Sequence, residues 1–207
     1  MQTGSAVVIA NGEFSASSAQ MKEISQAQCL IAVDGGIDHC LRAELRPHLL
    51  VGDFDSVDPA SLAALADIPQ IILAPEKDET DLEVALKKAA ELVEGPLRVF
   101  GGLGGRSDHL LYNIYLLARY AGRMSLESQK ERLFVIRGKC TISCRPGGTV
   151  SLLPLNGPVK GISSQGLRWE LQGTVFDKQW MSISNICLHE QATITVESGD
   201  LLCCIQL

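Results

Sequence analysis

The chain has 207 residues, 46% apolar and 20% charged, a balance that supports a packed core and excludes a disordered chain. Eighteen basic against 24 acidic residues give a net charge of −6, so there is no general basic face for nucleic acid. No apolar run approaches the roughly 18 residues of a membrane helix. The apolar stretch 6–10 is short and no base precedes Lys22, which predicts no secretory leader.

The cysteines are Cys29, Cys40, Cys140, Cys144, Cys187, Cys203 and Cys204, an odd number with no CxxC pair. Several sit inside apolar runs, where a thiol behaves as a small hydrophobe. This usage predicts a reduced, cytoplasmic protein without structural disulfides.

Taken in chain order, the first half alternates short apolar runs with helical segments. Residues 6–10, 30–33, 49–51, 71–73 and 97–100 read as buried strands, being short and rich in Val, Ile and Leu. Asp58-Pro59 places an N-cap before a proline and opens a helix through Leu65. Thr80-x-x-Glu83 is a capping box, followed by an apolar stripe of Leu82, Ala85, Leu86, Ala89 and Val93. A third helix is predicted from Ser107 to Tyr120. This alternation predicts an α/β domain over residues 1–122 with a mostly parallel, Rossmann-like sheet. Residues 123–131 are polar and read as a linker.

Residues 132–207 follow a different pattern. Turn signals recur at Gly138-Lys139, Pro146-Gly147-Gly148, Asn156-Gly157-Pro158, Gln165-Gly166, Gln172-Gly173 and Ser198-Gly199-Asp200, with short β-prone runs between them. The spacing predicts an all-β sandwich or barrel. Charge divides similarly: residues 1–120 hold 17 acids and 9 bases, residues 121–207 hold 7 and 9.

Open parallel sheets bind ligands at the carboxyl ends of their strands. Four predicted strands run there into polar or glycine-rich residues. They are Asp34-Gly35-Gly36, the GDFDS of 52–56, the KDETD of 77–81 and the GGLGGRSDH of 101–109. Asp53 and Asp55 lie two apart, so an extended segment points both the same way. With Asp81 they form an all-oxygen set without His or Cys, suited to Mg²⁺ and substrate phosphates rather than zinc. Gly101, Gly102, Gly104 and Gly105 precede a helix, where backbone N–H groups and the helix dipole favour an anion. Arg106 follows and offers a charge-assisted contact to phosphate. Each piece also has a plain structural reading. The glycines can be a tight turn, Thr80 and Asp81 a helix cap, GDFDS a solvated turn, and His109 a surface or packing residue.

At these segments the sequence resembles the thiamine pyrophosphokinase (thiamine diphosphokinase) family, with GLRW at 166–169 and SISN at 182–185 as further matches. The resemblance implies ATP-dependent transfer of a diphosphoryl group to the hydroxyl of thiamine, giving AMP and thiamine diphosphate. It implies a homodimer with thiamine at the subunit interface. Asp53, Asp55 and Asp81 would be catalytic and hold Mg²⁺. Asp34, Gly35, Gly36, Lys77, Asp78, Thr80, the glycine loop, Arg106 and Asp108 would line the ATP and phosphate region. Trp169, Ser184 and Asn185 would bind thiamine, the indole by stacking on its pyrimidine. Trp180 has no such match and reads as packing. Two other readings share the first-half site: a pyrophosphokinase for another heteroaromatic alcohol, and a nucleotide sensor without catalysis.

Overall fold

Short, β-branched runs form strands wherever neighbours can cover both faces, and the N-terminal half does this repeatedly. In the computed structural model, which describes residues 4–76 and 78–207, β1 is Ala6–Ile9, β2 Cys29–Val33, β3 Leu49–Gly52, β4 Gln70–Ile72 and β5 Leu97–Phe100. Hydrogen-bonded neighbours run parallel in the order β5-β1-β2-β3-β4. The chain builds outward from β1 to β4 and then returns to lay β5 against the other side of β1. Strand order therefore reverses between β1 and β5, the position where open parallel sheets receive ligands. β1 and β2 are wholly buried, but β4 is an edge strand whose Ile72 is 72% exposed, not the buried strand its composition predicts.

Five helices accompany these strands among the described residues. α1 (Ser18–Ser25) and α2 (Gly36–Arg42) were not evident from apolar spacing, since each is short and carries few apolar residues. A capping box does mark α1: Ser17 and Gln20 bond reciprocally to each other's backbone N–H. α3 (Pro59–Ala64) starts at the Asp58 cap as predicted, and α4 (Asp81–Leu92) at the Thr80 cap. Leu82, Ala85, Leu86 and Ala89 form the buried stripe of α4. α5 is Ser107–Arg119.

The predicted linker is not one. Met124–Glu127 forms strand β6 and all four residues are buried. Its glutamate is tolerated because Arg98 reaches it from β5 with two bonds, Nε to Oε1 at 3.0 Å and Nη2 to Oε2 at 2.6 Å. Arg98 also bonds Glu23, at 2.5 Å. A partner 29 residues away in sequence makes a polar-looking segment burial-competent.

The C-terminal half is antiparallel. It contains β7 (Glu131–Ser143), β8 (Thr149–Pro154), β9 (Val159–Gln165), β10 (Thr174–Phe176), β11 (Ser182–Ile186) and β12 (Gln191–Gln206). β12 pairs with β7, β8 and β9. Three of the predicted turns lie between strands and Gln165-Gly166 straddles the end of β9, but Gly138-Lys139 and Ser198-Gly199-Asp200 lie inside β7 and β12. Val196 pairs with Gly138 and Leu201 with Ile136, so residues 197–200 bulge opposite Arg137 alone. Gly138 (φ +69°) and Gly199 (φ +100°) supply the left-handed conformations that a bulge, like a turn, requires. Arg137 Nε closes the bulge on Asp200 Oδ1 at 2.5 Å.

The strands are thus mixed, parallel in one region and antiparallel in the other. The chain divides into two units, Met1–Asn113 with Leu126–Gln129 and Ile114–Ser125 with Lys130–Leu207, so the division falls within α5 and not after it. Each unit has its own core: Val7, Ile9, Leu30, Ile37, Leu50 and Phe100 in the first, and Val150, Leu152, Ile162, Phe176, Ile194 and Leu201 in the second. All seven cysteines are free thiols. Burial pushes the thiols of Cys29 and Cys140 up, Cys204 to about 11, Cys40 and Cys187 to about 12, and Cys203 well above the ordinary value. No helix among the described residues is long and apolar enough to cross a membrane.

Candidate active site

A cavity of about 700 Å³ opens at the carboxyl ends of all five parallel strands. Ala10, Asn11 and Gly12 line it after β1, Val33 and Asp34 after β2, and Asp53, Asp55 and Ser56 after β3. Pro75, Glu79 and Thr80 follow from β4, with Asp81 and Leu82 on the first turn of α4. Gly101, Gly102, Gly104, Gly105 and Arg106 come from the loop after β5, with His109 and Asn113 on α5.

Local backbone geometry places the acids. Asp34 adopts φ +45° as β2 ends, its N–H bonding Val51 O at 3.1 Å. Its carboxylate occupies the space beside Gly52, where a Cβ would lie 1.8 Å from Asp34 Oδ1. Gly52 at the end of β3 is the vacancy that Asp34 fills. The segment after Gly52 is not extended as the two-residue spacing suggests: Phe54 has φ +61° and Asp53 Oδ1 accepts the Asp55 N–H at 3.2 Å. Phe54 packs on the core beneath, which offsets the cost of a left-handed bulky residue and leaves both flanking acids on the cavity wall.

The loops after β1 and β5 supply the glycines of the lining. Gly12 N–H bonds Gly101 O at 2.8 Å, joining the loops after β1 and β5 at the switch point. Gly101 (φ +70°) has no room for a side chain, since a Cβ would lie 2.2 Å from Ala10 O. His39 Nε2 donates to Gly12 O at 2.8 Å, and Asn113 Nδ2 donates to Gly102 O at 3.0 Å. Gly12 and Asn113 thus hold the glycine loop at Gly101 and Gly102, and His39 holds Gly12. Arg106 makes a two-pronged bond to Asp108, 3.1 Å from Nε and 2.6 Å from Nη2. That bond, with the His109 N–H as second donor, lowers the Asp108 carboxyl to about 2.

Several residues singled out from sequence stand elsewhere. Gly35 and Gly36 do not line the cavity; a Cβ on Gly36 would lie 2.0 Å from Ile9 O, so they allow α2 to pack on β1. Asp78 is exposed and, like Asp108, is not among the lining residues. Lys77 lies outside the described residues. The structure adds Asn11, Gly12, Ser56, Glu79, Asn113 and His109, the last read from sequence as surface or packing. Arg106, His109 and Asn113 recur at helical spacing, a signal that was available. Asn11 and Gly12 could be assigned only from the strand order.

In the second unit Trp169 is 56% exposed, with the Arg168 guanidinium 5.4 Å from its ring centre. Asn185 is fully buried, and its amide is committed to the Trp169 segment. Oδ1 accepts from Trp169 N at 3.1 Å and Ile186 N at 2.8 Å, and Nδ2 donates to Trp169 O at 2.8 Å. Asn185 therefore presents Trp169 and is not itself a surface for a ligand. Ser184 is exposed with φ +61°, its N–H on Ser151 Oγ at 3.0 Å. Trp180 packs edge-on against Phe176 at 5.1 Å yet is 54% exposed.

Comparison with known proteins assigns both units. Residues 21–127 match the thiamin pyrophosphokinase catalytic domain, and residues 139–201 match the thiamin pyrophosphokinase vitamin B1 binding domain. The chain belongs to the thiamin pyrophosphokinase family. It is 28% identical over 182 residues to thiamine pyrophosphokinase of Bacillus subtilis, covering 83% of this chain and 84% of that protein. It is 27% identical over 190 residues to thiamine pyrophosphokinase 1 of Oryza sativa subsp. japonica, covering 81% and 69%. The crystal structure of thiamin pyrophosphokinase from Geobacillus thermodenitrificans superposes with a TM-score of 0.87 at 26% identity, covering 98% of this chain and 97% of that one.

In this family member the described cavity wall carries Asp34, Asp53, Asp55, Glu79 and Asp81 against Arg106, an excess of acid that by itself repels a triphosphate. One carboxylate oxygen each of Asp34 and Asp81 is sealed from water. Among the described residues no group of three or more His, Cys, Asp or Glu side chains is placed to hold a metal ion. The all-oxygen donors nevertheless fit Mg²⁺, which binds through one or two carboxylates and takes its remaining ligands from substrate phosphates and water.

Proposed function

We propose that the chain transfers the diphosphoryl group of ATP to the hydroxyl of thiamine, giving thiamine diphosphate and AMP. The observation that carries this reading is one cavity shared by five strand ends, lined by the acids after β2, β3 and β4 and by the glycine loop after β5. Asp53, Asp55 and Asp81 line the cavity, and one or two of these carboxylates would hold Mg²⁺, the rest of its ligands coming from phosphate and water. The ion would neutralise charge on the β- and γ-phosphates. The N–H groups of Gly104 and Gly105 and the Arg106 guanidinium offer donors to phosphate oxygens, Arg106 exchanging Asp108 for the substrate.

The thiamine hydroxyl oxygen attacks the β-phosphorus in line. The bond from that phosphorus to the α,β-bridging oxygen breaks, AMP leaves with the electron pair, and the hydroxyl proton passes to solvent water as the new bond forms. Asp53 or Asp81 orients the hydroxyl. A carboxylate beside a cation is a weak base, so positioning rather than early proton removal is its task. Trp169 and Ser184 give thiamine its surface on the second unit, with Asn185 as the support of Trp169. Exposed Trp169, Ile183 and Leu188 are apolar groups that a homodimer would cover.

Incubation with ATP, Mg²⁺ and thiamine, followed by separation of nucleotides and assay of thiamine diphosphate, tests the reading. AMP and thiamine diphosphate appear together in equal amounts. ADP as the nucleotide product would overturn diphosphoryl transfer. Mg·ATP binding without any thiamine product would point instead to another heteroaromatic alcohol or to a sensor.

A further inference from the structure

α5 is bonded to two elements that line the cavity, the glycine loop and α4. Its Asn113 holds the glycine loop through Gly102 O. The adjacent Tyr112 turns the other way, and its hydroxyl donates to Glu83 Oε2 at 2.6 Å. Glu83 is 4% exposed in the first turn of α4, two residues after Asp81, and its N–H bonds the Thr80 hydroxyl at 3.2 Å. Its second oxygen lies 4.0 Å from Lys87 Nζ, and Lys87 also pairs with Glu79 on the cavity wall. A buried carboxylate adds little net stability compared with an apolar side chain on the same stripe, but it fixes geometry through directional bonds. Thr80 and Asp81 stand at the end of this chain of bonds.

We infer that Tyr112 is a positioning residue for diphosphoryl transfer. By holding Glu83 it sets the first turn of α4, and so Asp81, at a fixed distance from the glycine loop that Asn113 holds. This rests on the reading of the cavity as a Mg·ATP site. The test uses the whole chain with Tyr112→Phe, Glu83→Ala and Glu83→Gln. It measures Mg·ATP affinity by calorimetry, kcat, the thiamine KM and the unfolding temperature. Tyr112→Phe and Glu83→Ala each weaken Mg·ATP binding and kcat about tenfold, the effect of losing one hydrogen bond to a charged group. The thiamine KM stays within about twofold. Glu83→Gln keeps an acceptor for the hydroxyl and restores both quantities to within about twofold of the unsubstituted chain.

A Tyr112→Phe protein unchanged in both affinity and kcat would overturn the inference. So would Glu83→Gln as impaired as Glu83→Ala, because charge and not the hydrogen bond would then matter. If the unsubstituted protein binds Mg·ATP but leaves thiamine untouched, the substrate reading fails while the affinity series still decides the role of Tyr112. Absence of Mg·ATP binding overturns both.

Discussion

The two units put their chemically distinctive residues to opposite uses. In the first, Asp34, Asp53, Asp55 and Asp81 leave buried strands and helix starts and line one cavity. In the second, Asn185 turns inward and spends its amide on the backbone of Trp169, while the indole remains outside. A parallel sheet has no choice about this, because its strands all end on one edge and whatever follows them is gathered there. In the second unit neighbours within one strand part company: Ser184 of β11 is exposed and Asn185 is buried, one becoming surface and the next support.

The largest effect that would break this contrast is predicted at Asp53. Asp53→Asn should lower kcat by about 10³, the scale seen when a preorganised charge contact at a reacting centre is lost. Thiamine affinity at equilibrium should be retained. Turnover near that of the unsubstituted chain would remove the residue from the chemistry.

The second unit should answer differently. Trp169→Ala should raise the thiamine KM by roughly tenfold and leave Mg·ATP affinity alone, matching loss of one aromatic contact. Asn185→Ala should raise the same KM and also cost about 1–3 kcal/mol of stability by leaving backbone groups of the Trp169 segment unpaired. A stability loss with no change in KM would separate the support from any role in binding and would weaken the assignment of Trp169.

The smallest effect concerns the exposed Arg106–Asp108 pair. Its carboxyl titrates near 2 in the folded chain against an ordinary 3.8, so the folded form binds its proton more weakly. The contribution of the pair is therefore complete above about 3.8 and is lost as pH falls toward 2. Carbon-detected NMR of the Asp108 side chain should show its midpoint there. The midpoint should return toward the ordinary value in Arg106→Ala.

Much of this is legible in the sequence, for physical reasons. Runs such as AVVI and CLIAV are short and apolar on both faces, which restricts them to buried strands. The acids after them stood out because several strand ends carried them. Other features depended on partners remote in sequence. β6 reads as a linker in the sequence because nothing in MSLE announces that Arg98 neutralises its glutamate. Gly138 and Ser198-Gly199-Asp200 read as turns because a bulge needs the same left-handed residues. The bend at Phe54 was hidden because its stability comes from packing beneath the loop. Asn11 and Gly12 were missed because their place in the site depends on β5 returning beside β1. Nothing in SISN indicates which residue turns inward.

The buried thiols make the chain its own reporter of opening. Alkylation proceeds through the thiolate, and at neutral pH the buried Cys40, Cys187 and Cys203 hold almost none of it while the fold is closed. Cys40 belongs to the first core, and Cys187 and Cys203 to the second. A labelling reagent followed by mass spectrometry would thus time the exposure of each core separately, without an added probe. Mg·ATP would be expected to slow labelling of Cys40 first, since α2, which carries it, follows Asp34 directly.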